Sequence, residues 1–111
     1  MAFLAIVAAS DLSAPQRREA ARCGPPAVLA RHDHLTMLRS AGFARVEETD
    51  VTEGYLAVLH ALLEWSALHE DDLRAVLGDR LFDDRERDRR VQIRGVEAGV
   101  LRRSLFVASA D

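Results

Sequence analysis

The chain has no lysine and no asparagine, a single cysteine, and only 5% aromatic residues among 111. Cys23 has no second thiol to pair with inside the chain, so the fold must stand without disulfides, as expected of a protein in a reducing cytoplasm. All 15 basic residues are arginine, set against 18 acidic ones, and the net charge is −3. The missing lysines therefore reflect a GC-rich coding sequence more than a demand for guanidinium chemistry. A near-balanced, slightly acidic chain lacks the one-sign field that nucleic acid or an anionic membrane surface attracts, so neither is an expected partner. No apolar run approaches the roughly 20 residues needed to cross a bilayer. The opening run Met1 to Ala9 has no basic flank and stops before Asp11, so it reads as a buried strand and not as a leader peptide. The six glycines are scattered and form no phosphate-cradling or dinucleotide-binding motif.

What is present suits one soluble globular domain, with 49% hydrophobic and 30% charged residues. Ala2 to Ala8 is continuously apolar, the pattern of a strand covered on both faces. Ser13 stands three residues before Gln16, a capping-box spacing that opens a helix over Ala14 to Arg22. Gly24-Pro25-Pro26 ends that helix, because proline has no amide to donate. Asp33 is a suitable N-cap for a short helix bearing Leu35 and Leu38, and Gly42 a suitable left-handed stop, with Phe43 folding back. Ala44 to Val51 alternates like an edge strand with one wet face. Thr52 is expected to cap a long apolar helix carrying Tyr55, Leu56, Leu59, Leu62, Leu63 and Trp65. Glu70-Asp71-Asp72 favours another helix start, which Gly78 stops. Asp83 to Glu97 reads as a charged surface helix, and Leu101 to Ala108 as a final strand. The order is strand, helices, strand, helices, strand, which by itself says α/β.

The run Met37-Leu38-Arg39-Ser40-Ala41-Gly42-Phe43, continuing through Ala44 to Tyr55, carries a resemblance. A helix ending in Ala-Gly-Phe and leading into an edge strand is similar to the late segment of class I S-adenosylmethionine-dependent methyltransferases. The closing Gly99 to Ala108 resembles that family's last strand, so the likeness covers nearly the whole chain. It implies a partial Rossmann-like sheet of three strands, two parallel and the last inserted antiparallel between them. Residues 1–111 would then be the C-terminal part of the domain, with the cofactor-binding N-terminal half absent. The family's cofactor is S-adenosylmethionine, held by a glycine-rich turn and an acidic residue that have no counterpart here. None is therefore expected to bind this chain alone, and cofactor-binding residues are assigned to no position. The resemblance implies methyl transfer to a small-molecule acceptor, by a chain inactive without its other half. The rival reading is a non-enzymatic interaction or dimerisation module that keeps the half-fold. Either way, another copy or a polypeptide supplying the missing part of the sheet is the expected partner.

Individual residues narrow this only slightly. His32 and His34 flank Asp33, and His60 and Glu64 share a helix face, yet neither pair completes a metal-ligand set at recognisable spacing. No serine lies in a strained elbow motif, so no catalytic residue is assigned. Cys23 at a helix C-terminus faces the negative end of the dipole and is expected to be unreactive. Arg85, Arg87, Arg89, Arg90 and Arg94 are interleaved with acids, and pairs such as Glu86 with Arg90 account for them as a solvated face. In open α/β sheets ligands bind beyond the carboxyl ends of the strands, here near Ser10-Asp11 and Asp50-Val51-Thr52. Tyr55 follows the second of these ends and is the candidate substrate-wall residue, with core packing as its other reading.

Overall fold

The computed structural model describes residues 1–25, 28 and 34–110. Its elements run β1 (Ala2–Ala8), α1 (Ala14–Cys23), α2 (His34–Ser40), β2 (Arg45–Asp50), α3 (Thr52–Leu68), α4 (Glu70–Leu77), α5 (Asp79–Glu97) and β3 (Leu101–Ser109). The three strands form one sheet in the order β1-β3-β2. β3 pairs antiparallel with both neighbours, Phe3 opposite Phe106 on one side and Glu48 opposite the same Phe106 on the other. β1 and β2 thus point the same way without touching, and no adjacent pair of strands is parallel among the described residues.

Alternation along β3 sorts the core into two layers. Phe106 and Ala108 face α2 and pack with Leu38, Phe3, Val7 and Val46. Leu101 faces the other way and meets Ala20 and Cys23 of α1, with Val100 and Val91 beside them. On that second face Tyr55 and Leu59 of α3 pack on Ile93 of α5, over Ile6 of β1. The central strand is therefore the best buried, as its uniformly apolar end suggests. β1 is less covered than its composition implied: it lies at the sheet edge and Leu4 is 50% exposed.

Several local expectations are met. Ser13 Oγ accepts from the Gln16 amide at 3.3 Å while Gln16 Oε1 accepts from the Ser13 amide at 2.8 Å, closing the capping box of α1. α2 ends in a Schellman arrangement: the Phe43 amide donates to the Leu38 carbonyl, the Gly42 amide to Arg39, and Gly42 has φ of 99°. Asp33, Pro26 and His32 lie outside the described residues. Two expectations are corrected. Thr52 does not cap α3 but is its first helical residue, after Val51, whose side chain makes no capping bond. The Val51 amide is taken by the Arg103 carbonyl at 2.9 Å, so pairing with β3 continues up to the helix. Asp50 supplies the cap instead, its carboxylate accepting from the Thr52 amide at 2.9 Å. The charged helix is also longer than Asp83 to Glu97 and not wholly superficial, for α5 begins at Asp79 and buries Phe82, Glu86, Ile93 and Gly95.

Candidate functional site

An open cleft of about 520 Å³ lies on the α2 face of the sheet, lined by Val7, Ser10, His34, Glu48, Asp50, Arg102, Ser104 and Phe106 among others. It forms because three strand ends converge there: the C-terminal ends of β1 and β2 and the N-terminal end of β3. α2 covers the rest of this face, its first residues His34 and Leu35 bordering the cleft and Leu38 meeting Phe106 and Ala108 beyond it. Both strand ends named from the sequence border the cleft.

The floor is aromatic. His34 stacks on Phe106 with ring centroids 5.0 Å apart, and Phe106 stacks on Phe3 at 5.2 Å. The rim carries charge of both signs, with Glu48 and Asp50 from β2 and Arg102 from β3. The Thr52 hydroxyl and amide hold the Asp50 carboxyl below its usual range, with the charge of Arg102 adding to the effect. The same Thr52 oxygen accepts from the Arg103 amide at 3.1 Å, tying the start of α3 to β3. Asp50 is thereby kept ionised and fixed in place, a carboxylate able to orient a cationic or hydrogen-bonding ligand group.

Tyr55 is elsewhere. It is buried on the other face of the sheet, its hydroxyl donating to Gln92 Oε1 and the Arg103 guanidinium lying 4.5 Å from its ring centroid. Burial raises its pKa, which keeps the phenol neutral. It does not line the cleft. Period-two alternation would have found the residues that do: Glu48 with Asp50, and Arg102 with Ser104 and Phe106, each fall on one face of a strand.

The remaining candidates settle into packing. Cys23 is buried with its thiol 3.3 Å from Glu19 Oε1, and burial and that carboxylate push its pKa up. Arg89 bonds Glu86 at 2.6 Å and Ser66 at 3.1 Å, so the expected Glu86–Arg90 pair is replaced by one that links α5 to α3. Arg74 bonds Glu70, Asp79 and Asp83 at 3.2, 3.1 and 2.8 Å and lies over Phe82. His60 faces Glu97 at 3.7 Å. No group of three or more metal-ligating side chains gathers among the described residues, and no described helix is long and apolar enough to cross a membrane.

No protein-family profile matches the sequence, and no curated protein does. Solved structures do match. One is phosphoethanolamine N-methyltransferase 2 from Haemonchus contortus in complex with phosphomonomethylethanolamine and S-adenosylhomocysteine, with a TM-score of 0.70 and 12% identity. The match covers 97% of this chain and 25% of that one. The chain has a methyltransferase-like fold. It spans about a quarter of the length of that neighbour.

The neighbour's S-adenosylhomocysteine makes the fit of a sulfonium cofactor worth testing on this chain's own residues. A close backbone approach to such a ligand calls for glycine facing open space in a turn after a strand. The turn after β1 instead holds Asp11 in the left-handed region, with φ of 58°. Gly24 and Gly95, where an added Cβ would meet other atoms, face Leu101, and Gly95 also faces Cys23. These glycines seat β3 against α1 and α5. The turn after β1 therefore offers no glycine for such an approach.

Proposed function

We propose that the chain is the acceptor-side, C-terminal part of a Rossmann-like S-adenosylmethionine-dependent methyltransferase domain, and that it is inactive until a cofactor-binding half is supplied. The observation that carries this reading is the fold match across 97% of the chain to one quarter of a methyltransferase. The strand directions agree with it, because β1 and β2 run together and β3 returns between them. The cleft at their ends would receive a small polar acceptor, with Glu48 and Asp50 orienting a basic group, Arg102 an acidic one, and Phe106 and His34 the floor. Such a site contributes positioning and partial desolvation of the acceptor, while the methyl donor comes from the other half. Tyr55, on the other face, would act on the acceptor only indirectly, by packing under the Arg103 guanidinium of the strand that carries Arg102 and Ser104.

The missing half would join at β1. The Met1 carbonyl accepts from Ala108, and the Ala9 amide donates to Val100, so odd-numbered residues of β1 bond to β3. The even-numbered amides of Ala2, Leu4, Ile6 and Ala8 therefore face away from β3, along an edge that no described strand occupies.

An NMR titration of the purified chain tests the proposal. Phosphomonomethylethanolamine should shift the amide resonances of Asp50, Arg102 and Ser104, while S-adenosylmethionine leaves the spectrum unchanged. Micromolar one-site binding of S-adenosylmethionine would overturn the division into halves. An acceptor titration that leaves the cleft unperturbed would remove its acceptor role. The non-enzymatic alternative, a pairing module on the same half-fold, is favoured by the apolar outer face of α3.

A further inference from the structure

α3 is apolar around most of its circumference. Its buried arc, Tyr55, Leu59 and Ser66, faces α5 and the sheet. The arc that faces solvent carries Gly54, Ala57, Val58, Leu62, Trp65 and Leu68, with Trp65 51% and Leu68 82% exposed. These positions recur every three or four residues and make one stripe along 17 residues, about 25 Å of helix. The acidic residues of the helix, Glu53 and Glu64, and its one histidine, His60, are confined to one flank. A helix apolar on nearly every side is normally buried on nearly every side.

The chain as a whole has surface to bury. Its accessible area is 7487 Å², whereas a self-contained protein of its mass exposes about 6,100 Å². Its radius of gyration is 16.3 Å, against about 13 Å for a compact domain of this length. The excess exceeds the roughly 800 Å² that each partner buries in a stable complex.

The stripe also says what would cover it. Its two ends differ in size, small at the N-terminal end (Gly54, Ala57) and large at the C-terminal end (Trp65, Leu68), with Val58, Ala61 and Leu62 between them. We propose that α3 is the contact helix of a homodimer, packed antiparallel against α3 of a second copy. A two-fold axis near Ala61 lays Trp65 and Leu68 of each copy over Ala57 and Gly54 of the other, so that large meets small twice. A parallel pairing would instead set Trp65 against Trp65 and glycine against glycine. The antiparallel arrangement also aligns the two helix dipoles favourably.

Sedimentation equilibrium of the full chain, from micromolar to submillimolar, tests this independently of any cofactor. The wild type should reach a dimer and stop there. An added Cβ at Gly54 meets nothing within 4 Å, so Gly54→Leu should keep the circular dichroism of the folded chain. It should nevertheless weaken the dimer about tenfold or more, by colliding with the large end of the second helix. Adding Leu68→Ala to Gly54→Leu should restore association, since the volume is returned across the seam. A wild-type monomer at the highest concentration overturns the proposal. A dimer indifferent to both Gly54→Leu and Trp65→Ala also overturns it, and assigns association to the β1 edge. Failure of the Leu68→Ala rescue rules out the antiparallel register.

Discussion

Two glycines in two long helices show how differently the sides of this molecule are finished. At Gly95 of α5 an added Cβ would lie 2.6 Å from Leu101 Cδ1 and 2.8 Å from Cys23 Cβ. At Gly54 of α3 it would meet nothing within 4 Å. The wedge between α1, α5 and β3 is closed at atomic contact, with Ala20 wholly buried and Leu101 only 1% exposed. The outer face of α3 and Leu4 on the outer strand β1 are open among the described residues, with Leu68 82% exposed. Close packing is a mark of an interface that the chain completes alone, and open apolar surface is a mark of one that it does not. Substitutions on the two sides should accordingly behave in opposite ways.

Among the glycines the largest effect is expected on the closed side. Glycine to alanine inside a helix normally stabilises by about 1 kcal/mol. Gly95→Ala should instead destabilise by about 2 kcal/mol, because the methyl overlaps Leu101 and Cys23, both held by the core. Urea unfolding measures it. A neutral or stabilised variant would mean that the wedge yields as readily as the open face and would erase the contrast.

Gly42→Ala should come next, at about 1 kcal/mol. Its φ of 99° is unfavourable for any residue with a Cβ, although no neighbour stands within 4 Å. The loss here is conformational, whereas at Gly95 it is steric. Gly95→Ala combined with a smaller residue at Leu101 should therefore recover stability, while no neighbouring substitution should rescue Gly42→Ala. Thermal melts of the paired variants separate the two causes.

These cases show what was legible in the sequence. Gly42 and Phe43 announced a helix end because the Schellman motif is local, decided by residues five apart. The capping box of Ser13 and Gln16 was readable for the same reason. The central place of β3 came from the family resemblance and agrees with its burial. Gly95 gave no warning, since its role depends on Leu101 and Cys23, brought close only by tertiary packing. Thr52 misled because serine, threonine and aspartate all cap helices. The choice fell to Asp50 once β3 had claimed the Val51 amide. The cleft was half visible: its strand ends were named, but Glu48, Arg102 and Ser104 meet only when β2 and β3 pair. Tyr55 followed the right strand end yet turned to the other face, because α3 crosses behind the sheet.

Acid should expose the Asp50 link, a smaller effect at the border between the two sides. Its carboxyl is held below the usual 3.8 by Thr52. A depressed pKa in the folded state stabilises at pH above the unfolded value, and that contribution is lost as pH falls through the folded value. The wild type should therefore lose stability below about pH 4 in part through this group. Asp50→Asn should flatten that portion of the profile while costing about 0.5 kcal/mol at neutral pH, since asparagine also caps. Unfolding curves across the acid range decide it, and an unchanged slope in the variant would show that the link contributes nothing.

An equally small effect on the lone chain, and the sharpest test of its open side, is expected at Leu4. Proline removes an amide donor, which inside a paired strand usually breaks the ladder. In β1 the donors that bond to β3 are those of odd-numbered residues, as the Ala9 to Val100 bond shows. The Leu4 amide points to the free edge and its side chain is 50% exposed. Leu4→Pro should consequently cost the isolated chain only about 0.5 kcal/mol, while Phe3→Pro should unfold it by removing a bond to β3. If a cofactor-bearing polypeptide adds a strand beside β1, Leu4→Pro should abolish that union and leave an α3-mediated dimer intact. Melting curves and sedimentation of Leu4→Pro and Phe3→Pro read both effects. Equal damage from the two prolines would show that the outward amides of β1 matter to the lone chain and that this edge is not available for pairing.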